Sequence, residues 1–477
     1  MCAKPTYEIA AYLREGHACI ADGDLLTAQL AFRKALSLQA DNGEAMANLA
    51  WLAEQQQDWS GAANYYQQAL ALLAPHAQLS FQLAHVLLQL KRFEEAELHL
   101  LQGLQREPTS AAGWSHYGML RTVQYREVEA EEAYRHAIAL APDNLAPRFN
   151  LSYLLLRQGR MQEGWQHWEA RPWQQLSRYV HTKRLTTGQS LRGLRVLITQ
   201  EGGAGDLIQF CRYLPLLRQE GVARLGLVCD RTLTRLMQGL TELTETGNPA
   251  HPAAPDVLLD FSDTINETDW DGWLPLMSLP GHVQTRFDSI PAGTSYLSLT
   301  AALSQHWQQL FTQAASRPLR IGLAWQGNPA FENDADRSIA DILCLLPLAE
   351  LPGIDWICLQ KTQHSAQDGV AAWNRAYPQR PLQDYSAELH DFADTAALIQ
   401  QLDLVISVDT AVAHLAGALG KPCWLMLPWF KPDWRWLNRT QSSPWYPQTR
   451  LFRQTAAGDW DSVVTAISAA LVNFRGL

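Results

Sequence analysis

The sequence predicts two architectures in one chain. A solenoid of paired helices fills residues 1–172. Two parallel-sheet α/β domains, over 173–316 and 317–477, then face each other across a cleft. Three observations carry this. Small and aromatic residues recur every 34 residues through the first third. Short apolar, strand-like runs alternate with helical runs through the rest. Polar loops follow several of those runs, where parallel sheets of this kind bind their ligands.

The repeat is read first. Ala28, Ala62, Ala96, Ala130 and Gly164 keep one register, and Phe32, Tyr66, Leu100, Tyr134 and Trp168 follow four residues behind. Gly16, Ala50, Ala84, Gly118 and Ser152 precede them by twelve residues. Small residues let two helices of a unit approach closely, and the larger residue fills the space between one hairpin and the next. Asp22-Gly23-Asp24 and Gln57-Asp58 fall where the turn inside each unit belongs. A single unit cannot bury its apolar face, so units stack and curve, and the concave groove is a surface for a peptide or protein partner. The pattern resembles the tetratricopeptide repeat (TPR), with about four full units and a degenerate fifth ending near Arg171-Pro172.

Composition narrows the function classes. The chain has 477 residues, 47% hydrophobic and 18% charged, which is globular and excludes a mostly disordered protein. A formal net charge of -10 argues against a nucleic-acid partner. No uninterrupted apolar run is long enough to span a membrane. The opening stretch lacks the apolar core of a secretory signal, so none is expected. The seven cysteines, Cys2, Cys19, Cys211, Cys229, Cys344, Cys358 and Cys423, form no CxxC pair. That fits a reducing cytoplasm better than a disulfide framework or a cysteine metal site.

After Pro172, strand-like runs appear at 194–200, 225–229 and 257–260, with a helical stretch from Leu207 to Glu220 between the first two. A second series, at 319–325, 356–360, 404–408, 423–427 and 450–453, begins beyond Ser316-Arg-Pro318. Alternation of this kind implies parallel sheets with helices on both faces. The residues just after each strand then matter most. Gln200-Glu-Gly-Gly-Ala-Gly-Asp-Leu-Ile-Gln209 opens a helix and suits a polar or anionic group. Ile208 stands where a dinucleotide fingerprint needs its third glycine, which disfavours a nicotinamide oxidoreductase. Asp206 is either a helix cap or a general base facing the cleft. Trp325-Gln-Gly-Asn-Pro329 and the polar stretch to Ser338 follow the first strand of the second series, and Arg337 can fork onto a diphosphate. Asp334-Ala-Asp336 has metal-pair spacing but reads better as a solvated loop. Asp409 and Thr410 sit at a strand end and helix start that would hold phosphate, with His414 one turn further on. The last loop is crowded with aromatics: of 18 tryptophans, five lie between Trp424 and Trp445. Trp434, Trp436 and Trp445 can stack on a base or sugar, or simply pin the loop, and Arg435 can reach phosphate.

These motifs together resemble bacterial glycosyltransferases that carry a TPR array. They are Glu201-Gly-Gly-Ala-Gly-Asp-Leu-Ile-Gln-Phe210, Trp325-Gln-Gly-Asn-Pro329, Asp394-Thr-Ala-Ala-Leu398, Val408-Asp-Thr-Ala-Val-Ala-His414 and Pro432-Asp-Trp-Arg-Trp436. The second part is similar to the heptosyltransferase (glycosyltransferase 9-like) family of inverting GT-B enzymes. The plan is also similar to that of the O-linked N-acetylglucosamine transferases. The resemblance implies a TPR solenoid followed by a GT-B fold of two Rossmann-like domains. It implies Asp206 as catalytic base. Asp409, Thr410 and His414 fall on a donor-binding Asp-Thr-Gly…His motif in which Ala411 replaces the glycine. Gly205, Gln209, Trp325 and Asn328 join the donor-binding set from their motifs. Arg337 and Lys361 are alternative cations for the donor phosphates, and Trp434 and Trp436 are stacking candidates.

The implied activity is metal-independent, inverting transfer of a sugar from a nucleotide-diphosphate donor to an acceptor hydroxyl. No cofactor is expected beyond the nucleotide sugar, which is a co-substrate. The array favours an acceptor protein or peptide, such as a surface or flagellar protein, over lipopolysaccharide. The rival reading is a TPR interaction scaffold with an inactive GT-B-like domain.

Overall fold

The computed structural model describes residues 3–73, 76–171, 183–240, 255–291, 293, 295–311, 318–361 and 365–474. The expected break points at Pro172 and at Ser316 and Arg317 lie outside the described residues, as does Cys2. The chain divides into two compact units, Met1–Leu154 and Leu155–Leu477.

Helices open the chain in successive pairs: α1 (Ala3–Ala21) with α2 (Leu25–Leu38), α3 (Gly43–Gln55) with α4 (Trp59–Leu72), α5 (Ala77–Gln89) with α6 (Phe93–Arg106), and α7 (Ala111–Val123) with α8 (Glu127–Leu140). The helices α9 (Leu145–Arg157) and α10 (Met161–Trp168) follow. The 34-residue step is written into the backbone itself. Gly23, Gln57, Lys91, Tyr125 and Gly159, one per turn, all adopt positive φ, between 59° and 79°. The next residue is the N-cap of the second helix. Asp24 and Asp58 cap with their own carboxylates, receiving the Thr27 and Gly61 amides. Arg92, Arg126 and Arg160 occupy the same place without a side-chain cap and instead pair with Glu95, Glu129 and Glu163. Small residues do what their spacing implies. A Cβ at Gly16 would lie 2.5 Å from the Phe32 ring, and one at Gly118 2.6 Å from the Tyr134 ring. The large residue therefore fills its own hairpin, and in the first repeat Phe32 also joins a cluster with Leu49 and Leu52 of the next.

The second unit holds two wholly parallel sheets. The first takes β1 (Arg195–Thr199), β2 (Arg224–Cys229), β3 (Val257–Asp260) and β4 (Gly272–Pro275) in the order β3-β2-β1-β4. Its helices include α11 (Ala204–Phe210), α12 (Leu214–Glu220), α13 (Arg231–Met237) and α14 (Leu279–His282), whereas α15 (Ala301–Leu310) packs against the Phe392–Gln400 helix of the second sheet. The second takes β5 (Leu319–Ala324), β6 (Ile354–Cys358), β7 (Leu382–Asp384), β8 (Leu404–Val408), β9 (Cys423–Leu427) and β10 (Thr449–Arg453) in the order β10-β9-β8-β5-β6-β7. With it run α16 (Asp334–Arg337), α17 (Leu346–Ala349), α18 (Ser365–Ala376), α19 (Phe392–Gln400), α20 (Ala411–Ala418) and α21 (Trp460–Phe474). The architecture is GT-B-like. Its core is apolar and tryptophan-rich, with Ile321, Leu323, Trp325, Trp356 and Trp373 buried around the second sheet.

Two features go beyond the expected pattern. The stretch Leu207–Glu220 is helical throughout, but in pieces: Pro215 opens α12, and a 3-10 turn at Cys211–Tyr213 separates it from α11. The strands β4 and β7 were not expected. β4 carries a glycine and a proline in four residues, and β7 is a three-residue edge with a polar end. Strand order now explains where the flagged loops lie. In the first sheet β1 is flanked by β2 and β4, and in the second β5 is flanked by β6 and β8. Chain direction around the sheet reverses at these points, and parallel sheets open a crevice there. The described cysteines Cys19, Cys211, Cys229, Cys344, Cys358 and Cys423 are free thiols. No described helix is long and apolar enough to cross a membrane.

Candidate functional site

The site forms where the carboxyl ends of β1, β5 and β8 converge. Glu201, just past β1, is anchored first. Arg171 forks onto its carboxylate at 2.6 and 3.0 Å, and the Met277 amide donates to it at 2.9 Å. Gly202 then turns with φ 71°, and α11 begins.

Asp206 is the third residue of α11, so its side chain reaches back to the helix start. Its Oδ2 accepts from the Gly203 amide at 2.7 Å. Its Oδ1 accepts from the Arg435 guanidinium. Burial pushes its pKa up from the usual carboxylate range, with Arg435 and the Gly203 amide pulling the other way. Asp206 is thus a cap whose carboxylate also takes an ion pair, with 23% of its side chain still exposed.

Gly205 has a packing role. A Cβ there would lie 2.8 Å from His414 Cδ2 and 3.4 Å from the Ala411 Cα, so its lack of a side chain lets α11 press against α20. Gln209 is fully buried, and its Oε1 accepts from Arg435 Nε, while its Nε2 has no partner among the described residues. Gln209 is thus closed off from solvent, while Gly205 stays partly exposed.

On the other sheet, Asp409 directly follows β8 and Thr410 caps α20, accepting the Val412 amide at 3.2 Å. Burial and the nearby Asp433 push the Asp409 carboxyl up to about 7, against Trp436, Arg337 and Arg435. His414 is buried, and its Nδ1 lies 2.9 Å from the Tyr446 hydroxyl. Burial, then Arg435, Arg212 and Arg337, hold its imidazole well below its ordinary value, so it is neutral.

The loop after β5 separates its members. Trp325 is buried in the sheet core, with its backbone held by Gln360 and Ile339. It offers nothing to a donor, contrary to the motif reading. Asn328 is exposed and turns the loop by accepting the Ala330 amide. Arg337 pairs with Asp334 at 3.1 Å and lies 4.2 Å over Phe331. Its charge acts on Asp206, Asp409 and His414. Lys361, its alternative, is tied to the His390 carbonyl beside α19. Of the two, Arg337 is the one whose charge reaches Asp206, Asp409 and His414. Asp334, with Arg337, belongs to the short helix α16.

Trp434 and Trp436 are fully buried and present no free face, which corrects their assignment as stacking residues. Trp434 is ringed by Trp165, Trp168 and Trp445 at centroid distances of 5.4 to 5.7 Å. Trp436 lies beside His414 and Tyr446. Trp445 is buried likewise. These rings pin the loop. What they fix is Arg435, which the sequence offered as a phosphate contact. Its guanidinium is taken up by Asp206, Gln209 and Asp433. The signal for this was present as Asp433-x-Arg435, a carboxylate two residues before an arginine in a loop. Nothing in the sequence pointed to Tyr446 as the partner of His414.

Models of the tetratricopeptide repeat match residues 9–42 and 53–120. The model of glycosyltransferase family 9 (heptosyltransferase) matches residues 389–424, which include Asp394, Asp409, Thr410 and His414. The chain is glycosyltransferase-like and carries tetratricopeptide repeats. It is similar to Protein FlbA of Caulobacter vibrioides, 24% identical over 95% of this chain and 82% of FlbA. A tetratricopeptide repeat-containing protein of Caenorhabditis elegans, trd-1, is 31% identical over 17% of this chain and 11% of its own length. Among solved structures, a thermophilic TPR protein of Thermus thermophilus is 22% identical. It covers 36% of this chain and 95% of its own, with a TM-score of 0.32.

Proposed function

We propose that this protein is a metal-independent, inverting GT-B glycosyltransferase that moves a sugar from a nucleotide-diphosphate donor to an acceptor hydroxyl. The observation that carries this reading is the packing of α11, which bears Asp206, against α20, which Thr410 caps and which bears His414, at the switch points of two parallel sheets. The family 9 match covers the second of these. The donor lies on the second sheet. Its diphosphate lies at the α20 start, where the helix end favours negative charge, with Arg337 offsetting the charge that develops on the leaving group. Neutral His414 adds no charge. The acceptor hydroxyl enters from the first sheet, Asp206 receives its proton, and the hydroxyl oxygen attacks the anomeric carbon from the face opposite the nucleotide. The acceptor is a protein or peptide recruited by the repeat groove, and the reaction is cytoplasmic protein glycosylation.

The test is a thermal-shift screen against nucleoside diphosphates and their sugars, with and without EDTA. Saturation at about a hundred times Kd adds roughly 2.7 kcal/mol, a clear rise in Tm. One nucleotide raising Tm equally in EDTA supports the reading, and no shift with any nucleotide sugar overturns it. Asp206→Asn is expected to abolish transfer while keeping that shift. Full turnover in the variant removes Asp206 from its role.

A further inference from the structure

The guanidinium of Arg435 lies 229 residues from Asp206 in sequence and touches it in space. It is one of the most buried charges in the second unit, with 5% of its side chain exposed. Three groups hold it from two sides. Gln209 Oε1 accepts from Nε and belongs to α11, one turn beyond Asp206. Asp433 Oδ2 accepts from Nη1 at 2.8 Å, and Asp433 Oδ1 also takes the Arg435 backbone amide at 2.9 Å. Asp206 Oδ1 accepts from Nη2. Phe210 and Trp434 lie against the guanidinium, at 5.1 and 4.8 Å from their ring centroids.

The loop that carries it is braced from behind. Trp165 and Trp168 of the α10 region close on Trp434, and their own indole N–H groups donate to the Thr285 and Met277 carbonyls, each at 3.0 Å. Arg435 therefore has no freedom to swing toward a phosphate. Its planar fork is used to fix one carboxylate oxygen of Asp206, while the Gly203 amide fixes the other.

We propose that Arg435 is a positioning residue for the transfer reaction, holding the Asp206 carboxylate ionised and in one orientation at the mouth of the cleft. The proposal rests on the transferase reading above. The charged and titratable groups facing Asp206 can be named. From the loop after β9 come Arg435 and Asp433, from α16 Arg337, and from α20 His414, with Asp409 at the foot of that helix. Of these, only Arg435 makes a direct ion pair with Asp206 among the described residues. Burial favours the protonated form of Asp206, and a protonated carboxyl cannot take the acceptor's proton. Arg435 works against burial. Removing it lets the folded-state value climb, so the ionised, active form appears only at higher pH.

The experiment compares wild type, Arg435→Met, Arg435→Lys and Asp206→Asn in two assays. The first follows nucleoside diphosphate release against pH, using the nucleotide sugar that most raises Tm in the screen above. Arg435→Met is expected to move the acid limb up by one pH unit or more with little change in donor KM. Arg435→Lys, which keeps charge but loses the fork, should move it less. An acid limb unmoved in Arg435→Met overturns the proposal. A merely structural role would lower stability without displacing that limb.

The second assay needs no substrate. Tm is measured for both single variants and for the double variant Asp206→Asn, Arg435→Met. The two losses should fall short of additivity by about 2 °C or more, as expected for residues in direct contact. Additive losses overturn the pairing. Where Arg435→Met does not fold, Arg435→Lys carries both assays. If wild type releases no nucleoside diphosphate from any nucleotide sugar, the transferase reading and the catalytic role of Arg435 both fall. The thermal cycle still reports whether the pair exists.

Discussion

Gly205→Ala separates a packing role for this residue from a donor-binding one. The new Cβ would stand 2.8 Å from His414 Cδ2 and 3.4 Å from the Ala411 Cα. Carbon atoms meet favourably at about 3.5 to 4.0 Å, so the first contact is about 0.7 Å too close or more. His414 has no easy retreat, being buried with its Nδ1 on Tyr446 and its ring beside Trp436. Overpacking of this kind costs about 1–3 kcal/mol. Gly205 has no positive φ, so alanine also returns about 1 kcal/mol of helix propensity. The net expectation is a loss of about 0–2 kcal/mol, read by urea denaturation as a lower midpoint at unchanged slope. The more telling effect is geometric. Asp206 follows Gly205 directly, so pushing α11 from α20 moves the carboxylate relative to Asp409. Transfer should fall well beyond what the lost stability explains, while nucleotide binding persists. A variant that is as stable as wild type but has lost nucleotide binding would refute the packing argument and restore Gly205 as a donor contact.

The Asp409 carboxyl, pushed up to about 7 in the fold, holds its proton where an unfolded Asp does not. Between about pH 4 and 7 the native state then binds more protons than the unfolded chain, so stability falls as pH rises through this window. Asp409→Asn should raise Tm at pH 8 and change it little at pH 4, and a uniform change across pH would count against this. Gln57 holds φ 59° in an exposed turn. Gln57→Gly should stabilise the repeat unit by about 1 kcal/mol in chemical denaturation, because glycine adopts this conformation without a Cβ clash.

The repeat array was legible because one spacing governs every level of it. The residues that make it legible are also those that pack, as at Gly16 against Phe32 and Gly118 against Tyr134. The turn conformation was legible only where glycine marks it. Gln57, Lys91 and Tyr125 adopt the same φ as Gly23 and Gly159, yet their residue types give no hint of it. Of the ten strands among the described residues, eight were visible as apolar runs. β4 and β7 were hidden because a short strand beside a proline carries too few side chains to show a period.

The site was legible in its loops and illegible in its pairs. Asp206, Asp409, Thr410 and His414 could be named because strand ends and helix starts leave local marks. Which side chain answers which could not, since Arg435 meets Asp206 across 229 residues and Tyr446 meets His414 across 32. Chemical type also misled where burial decides the role. Trp325, Trp434 and Trp436 are aromatic and sit in ligand-like loops, but all three are closed in by neighbours. The distinction has a physical basis. A tryptophan brings a large apolar surface, and in a loop with few other apolar residues it contributes most by burying that surface against another ring. The cluster of Trp165, Trp168, Trp434 and Trp445 does this. Its effect on the site is indirect: it fixes the backbone on either side of Arg435, and so decides where the arginine's charge can go.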